Sequence, residues 1–327
     1  MILFIGENID SLSGGGAASR SNLYRLKEEC PGEKLVIYSV SNEVHSLSER
    51  CFSLMLGTAK PFELIRIVLK EPYRLIWIDR STFVWLALLF PFCYNSLWRV
   101  YMHNDEIRYH KDLATLTNSW SARARVLFLT SYMWLVRLPV IDTYSINPED
   151  RGKFTSVKVW LPLFTDSLSI QSSSHKVVNS SYYLVIGSLF PPNVHGIKWL
   201  IENVCTSVDA QFILVGKGLT ASRLSLSGVT NVQVLGEVAD LHSIIDASIA
   251  TIAPIWYGSG LKIKVAESIY YGKHCIVTDL AASPFKLILN EHFYEYISTF
   301  DSAESLIDIL NRRSFQSILP KARYFVE

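Results

Sequence analysis

The chain has 327 residues, which is enough for two domains of ordinary size with a large buried core. Its net charge of +1, with 19% charged residues, gives no general reason to expect a nucleic-acid partner. The five cysteines are scattered and form no Cys-x-x-Cys pair, so they predict neither a disulfide framework nor a zinc site, and they suit a reducing compartment.

The first half of the chain predicts strands that alternate with helices. The N-terminal run ILFIG has no basic start before it, so we expect a first strand and not a signal peptide. A glycine loop and the helix AASRSNLYRLKEE should follow. The next predicted strands are KLVIYSV, RLIWID and WRVYMH, and after them come the helix SARARVLFLTSYMWLVRL and the short strands DTYSIN and VKVWLPL. Short apolar runs bounded by turn signals are typical of parallel strands buried on both faces.

One segment of the first half, STFVWLALLFPFCYNSLW, is apolar enough to raise the question of a membrane span. Pro91, Asn95 and Ser96 interrupt it, and Arg80 and Arg99 flank it. We therefore expect a buried helix followed by a turn, with contact to a bilayer surface as the alternative. Residues 1–165 carry 19 basic and 16 acidic residues, a mild positive excess that suits a membrane surface.

The second half repeats the alternation after a serine-rich, polar run at 166–181, which predicts an exposed linker. The predicted strands are YYLVIGSL, QFILVG, VQVLG, IATIAPI and CIVTD, with the helices HGIKWLIENVC and DLHSIIDA between them. FYEYIS and SAESLIDILNRR complete this half. The predicted domains are therefore 1–165 and 182–327, and the last residues are candidates for packing back on the first domain.

Regular alternation of strands and helices predicts the α/β class, with two tandem Rossmann-like, doubly wound domains. Ligands of such sheets bind beyond the carboxyl ends of the strands. Two tandem domains of this kind are also expected to face each other across a cleft.

The run PIWYGSGLKIKVAESIYYGKHCIVTD combines a glycine loop, a predicted helix start near Leu261, and the charged residues Lys262, Lys264 and Glu267. Glycines allow close backbone approach, and a helix start offers unpaired N–H groups, so the lysines there suit a phosphate or diphosphate. The glutamate could accept hydrogen bonds from a ribose diol. An ordinary Lys264–Glu267 pair on a solvated helix face explains the same residues. The residues alone leave both interpretations open.

The same run resembles the donor-binding segment of retaining glycosyltransferases with the GT-B fold, in glycosyltransferase group 1 (family 4). The shared order is proline, glycine loop, lysine, glutamate, helix, glycine and strand. Upstream, YYLVIGSLFPPNVHGIKWL, FILVGKG and VQVLGEVADLHSII resemble the family in the right order. GGGAASRSNLYRL resembles the glycine loop of the family more loosely, so the resemblance is specific in 182–279.

The resemblance implies roles for particular residues. It assigns the nucleotide ribose to Glu267 and the diphosphate to Lys262, with Lys264 as a second candidate. It implies contact with the donor phosphates and sugar for Gly15, Gly16, Gly258, Ser259, Gly260 and Leu261. It implies contact with the nucleotide for Gly187, Gly216, Gly236, Glu237 and Val238.

Two departures from the family pattern stand out. Ser259 replaces the first of two glutamates, and Ser188 and Asn193 occupy the approximate positions of an arginine and a lysine. These losses leave open a non-catalytic GT-B partner or a nucleotide-sugar-binding subunit. A nicotinamide-dependent oxidoreductase is disfavoured, because GGGAAS lacks the Gly-x-Gly-x-x-Gly spacing and no acidic residue clearly ends KLVIYSV.

The segment VYMHNDEIRYHKDL supplies the candidates on the acceptor side. The resemblance implies that His103 faces the donor sugar, and Asp105 or Glu106 could orient the acceptor hydroxyl. A strand-end histidine followed by an Asn-Asp helix cap is the alternative interpretation. His110, one helical turn beyond Glu106, is expected to be structural.

The family mechanism implies transfer on one face of the sugar, with the leaving phosphate helping to deprotonate the acceptor and no covalent nucleophile. Domain closure is expected to exclude water. The sequence contains no Asp-x-Asp, so we expect no metal and no cofactor, with a UDP or GDP sugar as the donor substrate. The expected acceptor is a saccharide or lipid-linked glycan in bacterial surface polysaccharide or lipopolysaccharide synthesis. The expected location is the cytoplasm, with peripheral contact on the inner face of the membrane.

Overall fold

A computed structural model describes residues 1–7, 14–40, 44, 46–152, 157–161, 182–224, 226 and 228–312. The chain divides into two compact units. The first unit is Met1–Pro162 together with Gly258–Gly260, and the second is Leu163–Tyr257 together with Leu261–Glu327. The predicted linker at 166–181 lies outside the described residues.

The first unit contains a six-stranded sheet in the order β2-β1-β3-β4-β5-β6, and all of its pairings are parallel. Its strands are β1 (Ile2–Glu7), β2 (Leu35–Val40), β3 (Leu75–Ile78), β4 (Leu97–Met102), β5 (Ile141–Ser145) and β6 (Val157–Val159). Every residue of β3 is buried, as expected for a strand covered on both faces. The core of this unit therefore lies on both sides of the central strands.

The helices of the first unit are α1 (Gly14–Glu29), α2 (Leu47–Leu56), α3 (Pro61–Lys70), α4 (Glu106–Thr117) and α5 (Trp120–Tyr132). Its described residues also form three 3-10 helices, Ser81–Phe92, Met133–Arg137 and Pro148–Gly152. The prediction that the three glycines lie in a loop before the first helix is wrong, because α1 begins at Gly14; residues 8–13 lie outside the described residues. The first helical residues need no intrahelical partner for their N–H groups, so the run of glycines is tolerated there.

The apolar segment between β3 and β4 forms the 3-10 helix Ser81–Phe92, followed by a turn. Its first seven residues, Ser81–Ala87, are buried, which confirms the expected buried helix for this part. Its end faces solvent, since Leu88 is 62% and Phe92 is 75% exposed. Within the part of the chain that the structure describes, no helix has the length and apolar character needed to cross a membrane.

The second unit repeats the architecture with a parallel sheet in the order β12-β11-β10-β7-β8-β9. Its strands are β7 (Tyr182–Ile186), β8 (Gln211–Val215), β9 (Val232–Gly236), β10 (Ala250–Ala253), β11 (Cys275–Thr278) and β12 (Ile297–Phe300). Two helix-flanked parallel sheets confirm the predicted α/β class with two Rossmann-like domains.

The helices of the second unit are α6 (Pro191–Asn203), α7 (Ala221–Leu224), α8 (Leu241–Ala247), α9 (Ile263–Tyr270), α10 (Asp279–Leu289), α11 (Phe293–Tyr296) and α12 (Ala303–Arg312). Two short 3-10 helices lie at Cys205–Ser207 and Asn290–His292. Helices α6 and α9 matter most for function, because α6 follows β7 and α9 follows β10, two neighbouring strands of the sheet. The starts of both helices therefore lie at the carboxyl edge of the sheet.

Candidate active site

The carboxyl edge of the first sheet carries a buried polar network centred on Asp79, which directly follows β3. Asn22 Nδ2 and Trp77 Nε1 donate to Asp79 Oδ1 over 2.9 and 3.0 Å. The other carboxylate oxygen, Oδ2, lies 3.2 Å from Nε2 of His103, which follows β4. The Asp79 side chain is fully buried and that of His103 is largely buried. Asp79 thus fixes the His103 ring when Nε2 carries its proton.

Sequence reasoning named His103 but missed Asp79. The available signal was the acidic residue at the end of the buried run RLIWID, since a carboxylate at the carboxyl end of a parallel strand lies at the ligand edge. The pairing of β3 with β4 then brings the two strand ends side by side. Strand order is not readable from the local pattern, and this is why the pair was missed.

The two acidic residues after His103 have protein partners. Asp105 Oδ1 accepts the backbone N–H of Arg108 over 3.0 Å, so the helix-cap interpretation of Asp105 is observed at the start of α4. Glu106 is buried, and its Oε1 lies 3.8 Å from Nε of Arg80. Both carboxylates are therefore fixed beside the end of β4.

Three residues of the predicted donor loop, Gly258–Gly260, group with the first unit. Ser259 Oγ donates to the backbone carbonyl of Asp105 over 2.8 Å. Gly260 has a φ of 77°, and a Cβ atom added to it would lie 2.5 Å from Oδ1 of Asn104. Glycine is thus required at this position both by the backbone conformation and by the close neighbour.

In the second unit, Lys264 lies in the first turn of α9 and reaches the first turn of α6. Its Nζ donates to Oδ1 of Asn193 over 2.6 Å, and Asn193 Nδ2 donates to the carbonyl of Ser188 over 3.3 Å. Burial and, to a smaller extent, the charge of Lys262 lower the pKa of Lys264 to about 7. A lysine whose charged form is disfavoured in the free protein gains from a bound anion.

Glu267 lies one turn along α9 from Lys264, and burial raises its pKa to about 7. These two described side chains form no ion pair with each other, because Lys264 turns to Asn193 instead. Among the described residues we find no hydrogen bond to the Glu267 carboxylate. The interpretation as an ordinary surface ion pair is therefore not supported, and the carboxylate is available to accept hydrogen bonds from a ligand.

The remaining residues of the predicted donor segment lie at the start of the same helix. Lys262 is the N-cap residue of α9, and Leu261 before it is buried. The effect of Lys262 on the pKa of Lys264 shows that the two ammonium groups are within electrostatic reach. Two cations at a helix start, with a carboxylate one turn further on, can hold a diphosphate and a pair of hydroxyls.

The glycines predicted to contact the nucleotide lie at strand ends and pack against one another. Gly187 follows β7, Gly216 follows β8, and the N–H of Gly216 donates to the carbonyl of Gly236 over 2.7 Å. A Cβ atom on Gly216 would lie 1.5 Å from the carbonyl oxygen of Gly187. The close approach of backbone to backbone is sufficient to require glycine at Gly216, whether or not a ligand is bound.

The other predicted contacts differ in their surroundings. Glu237 is exposed, whereas Val238 packs against a hydrophobic cluster that includes Tyr182 and Leu184. Gly15 and Gly16 lie in the first turn of α1. Over the described ranges, no group of three or more His, Cys, Asp or Glu side chains is placed to hold a metal ion.

Comparison with known proteins gives a family match over the second half of the chain. Residues 180–311 match the family model described as "Glycosyl transferases group 1". No curated protein matches the sequence.

Several solved structures share the fold over nearly the whole chain. Sucrose-phosphate synthase from Thermosynechococcus elongatus has 13% identity and a TM-score of 0.66, covering 99% of this chain and 93% of its own. Anabaena HepE in complex with UDP and glucose has 14% identity and a TM-score of 0.60, covering 95% and 89%. The lipopolysaccharide outer core galactosyltransferase WaaB has 12% identity and a TM-score of 0.53, covering 95% and 89%.

The similarity to these structures extends across both sheets, and the family match covers the domain that carries Lys264 and Glu267. The family match over residues 180–311 indicates a glycosyltransferase, and the solved structures share the two-domain fold of the whole chain.

Proposed function

We propose that this enzyme transfers a sugar from a nucleoside diphosphate sugar to a saccharide or lipid-linked glycan, with retention of configuration and without a metal ion. The observation that carries the proposal is the pairing of a cation-rich helix start, at Lys262 and Lys264, with the partly buried carboxylate of Glu267 on the same helix. A UDP sugar is favoured as the donor, because related structures contain UDP or UDP-glucose.

The second unit binds the donor in this proposal. Lys264 and Lys262 neutralise the diphosphate, and the positive end of the α9 dipole favours the anion at the same place. Glu267 accepts two hydrogen bonds from the ribose hydroxyls. The sequence contains no Asp-x-Asp to bridge the phosphates through a metal, so the lysines supply the positive charge.

The first unit contributes His103, which Asp79 holds by its Nε2 atom. We assign His103 to a hydrogen bond with the transferring sugar, and Asp105 and Glu106 to the surroundings of the acceptor. In the reaction, the bond between the anomeric carbon and the leaving phosphate oxygen breaks as the bond to the acceptor oxygen forms on the same face. The hydroxyl proton of the acceptor passes to the leaving phosphate, so no protein nucleophile is required.

Peripheral contact with the cytoplasmic membrane, in bacterial surface polysaccharide or lipopolysaccharide synthesis, belongs to the same proposal. Its support is an exposed apolar stretch at the end of the first 3-10 helix and the start of β4, formed by Leu88, Phe92, Tyr94 and Leu97. We expect the purified chain to float with vesicles, and the double substitution Leu88→Glu and Phe92→Glu to reduce this binding about tenfold. Unchanged flotation of the double variant would remove the membrane contact from the proposal.

The transfer itself is tested in two steps. A thermal-shift screen against UDP, GDP, dTDP and CMP sugars identifies the donor, and we expect a UDP sugar to raise the melting temperature most. The anomeric configuration of the product, measured by NMR in the presence of EDTA, then tests retention and metal independence together. An inverted product, or activity abolished by EDTA and restored by a divalent cation, would contradict the corresponding part of the proposal.

A further inference from the structure

The first unit contains a polar cavity that none of the residues assigned to the donor lines. Its volume is about 430 Å³, and α2, α4, α5 and the residues after β3 form its walls. Four of its lining residues carry or can carry positive charge, namely Arg50, Arg80, His110 and Arg125. We call this group the cationic pocket. No aspartate or glutamate is among its described lining residues.

Arg125 is fixed in the wall of the cationic pocket before any ligand arrives. It is only 7% exposed, and its Nη1 atom donates to the backbone carbonyls of Ser53 and Leu54 at the end of α2. On the other side, a Cβ atom added to Gly57 would lie 2.9 Å from Nη2. The guanidinium is therefore held in one place, so a ligand that binds it incurs little cost in side-chain entropy.

His110 contributes a polar atom that lacks a partner. Its Nδ1 is buried, and no hydrogen bond to it is found among the described residues. Burial lowers the pKa of His110, and the nearby charges of Arg125 and Arg80 lower it further, while Glu106 opposes them. A buried polar atom without a partner is costly, and a ligand hydroxyl or oxygen that satisfied it would remove that cost.

One buried carboxylate, that of Glu106, lies beside the cationic lining of the pocket. Glu106 lies 3.8 Å from Arg80, and it is the carboxylate that acts on both His110 and Arg125. Arginine forks match the oxygens of a phosphate in pairs, and the volume is in the range of small-molecule sites.

The cationic pocket lies next to the residues that we assign to the acceptor. Arg80 directly follows Asp79, which holds His103, and His110 lies on α4, which begins beside Asp105. We propose that the cationic pocket binds a phosphate or diphosphate group carried by the acceptor, so that the acceptor is an anionic, phosphorylated saccharide. The identification of the bound molecule as the acceptor rests on the proposed function, whereas the binding of an anion in the pocket can be tested separately.

The test is a calorimetric titration of inorganic pyrophosphate into the full chain saturated with UDP, which occupies the donor site. We expect the wild type to bind pyrophosphate, and the double variant Arg50→Gln and Arg80→Gln to bind it at least about tenfold more weakly. Arg108→Gln is the matched control, because Arg108 is exposed on α4 and does not line the pocket. Circular dichroism and UDP affinity of each variant report whether the fold and the donor site are intact.

The outcomes separate the two proposals. If the wild type binds no pyrophosphate beside UDP, or the double variant binds it as well as Arg108→Gln does, the cationic pocket is not an anion site. If UDP does not bind at all, the proposed donor site is wrong. The pyrophosphate titration without UDP then still shows whether the cationic pocket binds an anion. Arg125 is left unchanged, since its contacts with α2 make loss of the fold the expected effect of replacing it.

Vesicles distinguish a lipid-borne phosphate from a soluble one. If vesicles that contain phosphatidic acid bind the wild type, lose binding in the double variant and release the protein when pyrophosphate is added, the phosphate belongs to a lipid-linked acceptor. If pyrophosphate binds in the pocket but these vesicles do not, the acceptor is a soluble sugar phosphate. Both outcomes support anion binding in the cationic pocket. Vesicle binding that is unchanged in the double variant would argue against a lipid-borne phosphate in the pocket.

Discussion

The two units present buried carboxylates at the carboxyl edges of their sheets, and these carboxylates differ in how completely the protein satisfies them. Asp79 in the first unit receives hydrogen bonds from Asn22 and Trp77 and contacts His103. Glu267 in the second unit has no such partner among the described residues, and burial raises its pKa to about 7. A satisfied carboxylate holds its neighbours in place, whereas an unsatisfied one is suited to ligand hydroxyls.

The largest effect expected from this comparison is on the stability of the first unit. Asp79→Asn replaces a carboxylate oxygen with an NH2 group and leaves buried donors facing a donor, so we expect a loss of about 3 kcal/mol in the free energy of unfolding. Chemical denaturation measures it. Asp142→Asn is the control, because Asp142 is half exposed and lies 3.9 Å from Arg99. Equal losses for both variants would show that the Asp79 network does not hold the sheet edge.

A smaller effect is expected for the carboxylate of the second unit, and it should fall on ligand binding. Glu267→Gln should weaken UDP binding by about tenfold, because a neutral amide accepts ribose hydroxyls less well than a carboxylate does. Binding of inorganic pyrophosphate, a ligand that has no ribose, should not change. Calorimetry of both ligands separates the two, with Glu202→Gln on the exposed face of α6 as the control. Equal weakening of UDP and pyrophosphate binding would indicate that Glu267 acts on the phosphates and not on the ribose.

The smallest effect concerns the pH dependence of stability. The pKa of Lys264 is lower in the fold than in the unfolded chain, so this lysine destabilises the free protein increasingly as the pH falls from about 10 through 7. The pKa of Glu267 is raised, so the glutamate destabilises it as the pH rises from about 4.5 through 7. Lys264→Met should therefore gain stability relative to wild type at acid pH, and Glu267→Gln at alkaline pH.

Each gain is expected to be about 1 kcal/mol after allowance for partial solvent access. Denaturant titrations at about pH 5.5 and 8.5 measure it, and opposite pH slopes for the two variants are the signature. Parallel pH slopes would mean that burial does not disfavour the charged forms of Lys264 and Glu267 in the free protein.

The alternation of strands and helices was predictable from the sequence because each buried parallel strand is a short apolar run with a turn after it. Lys264 and Glu267 were predicted as charged residues at a helix start behind a glycine loop, and the family resemblance pointed to His103. The contact between Lys264 and Asn193 was not predictable, because 71 residues separate them and it depends on β7 and β10 being neighbours in the sheet.

The start of α1 and the cationic pocket show two further limits. Three glycines favour a loop by propensity, yet α1 begins at the first of them, so tertiary context outweighs local preference there. The arginines of the cationic pocket come from α2, the segment after β3, and α5, and no local pattern connects them. Charge clusters assembled from distant segments become visible only when the fold is known.

The central claim is that the start of α9 binds the diphosphate of a nucleotide through Lys264. Calorimetric titration of UDP at about pH 8, in two buffers of different ionisation enthalpy, tests it most directly. Lys264 is mostly neutral at that pH in the free protein, so we predict that the protein takes up a proton when UDP binds. The Lys264→Met substitution should abolish this uptake and weaken UDP binding at least about tenfold. Lys198→Met serves as the control. UDP binding with no proton uptake and with unchanged affinity in Lys264→Met would contradict the account.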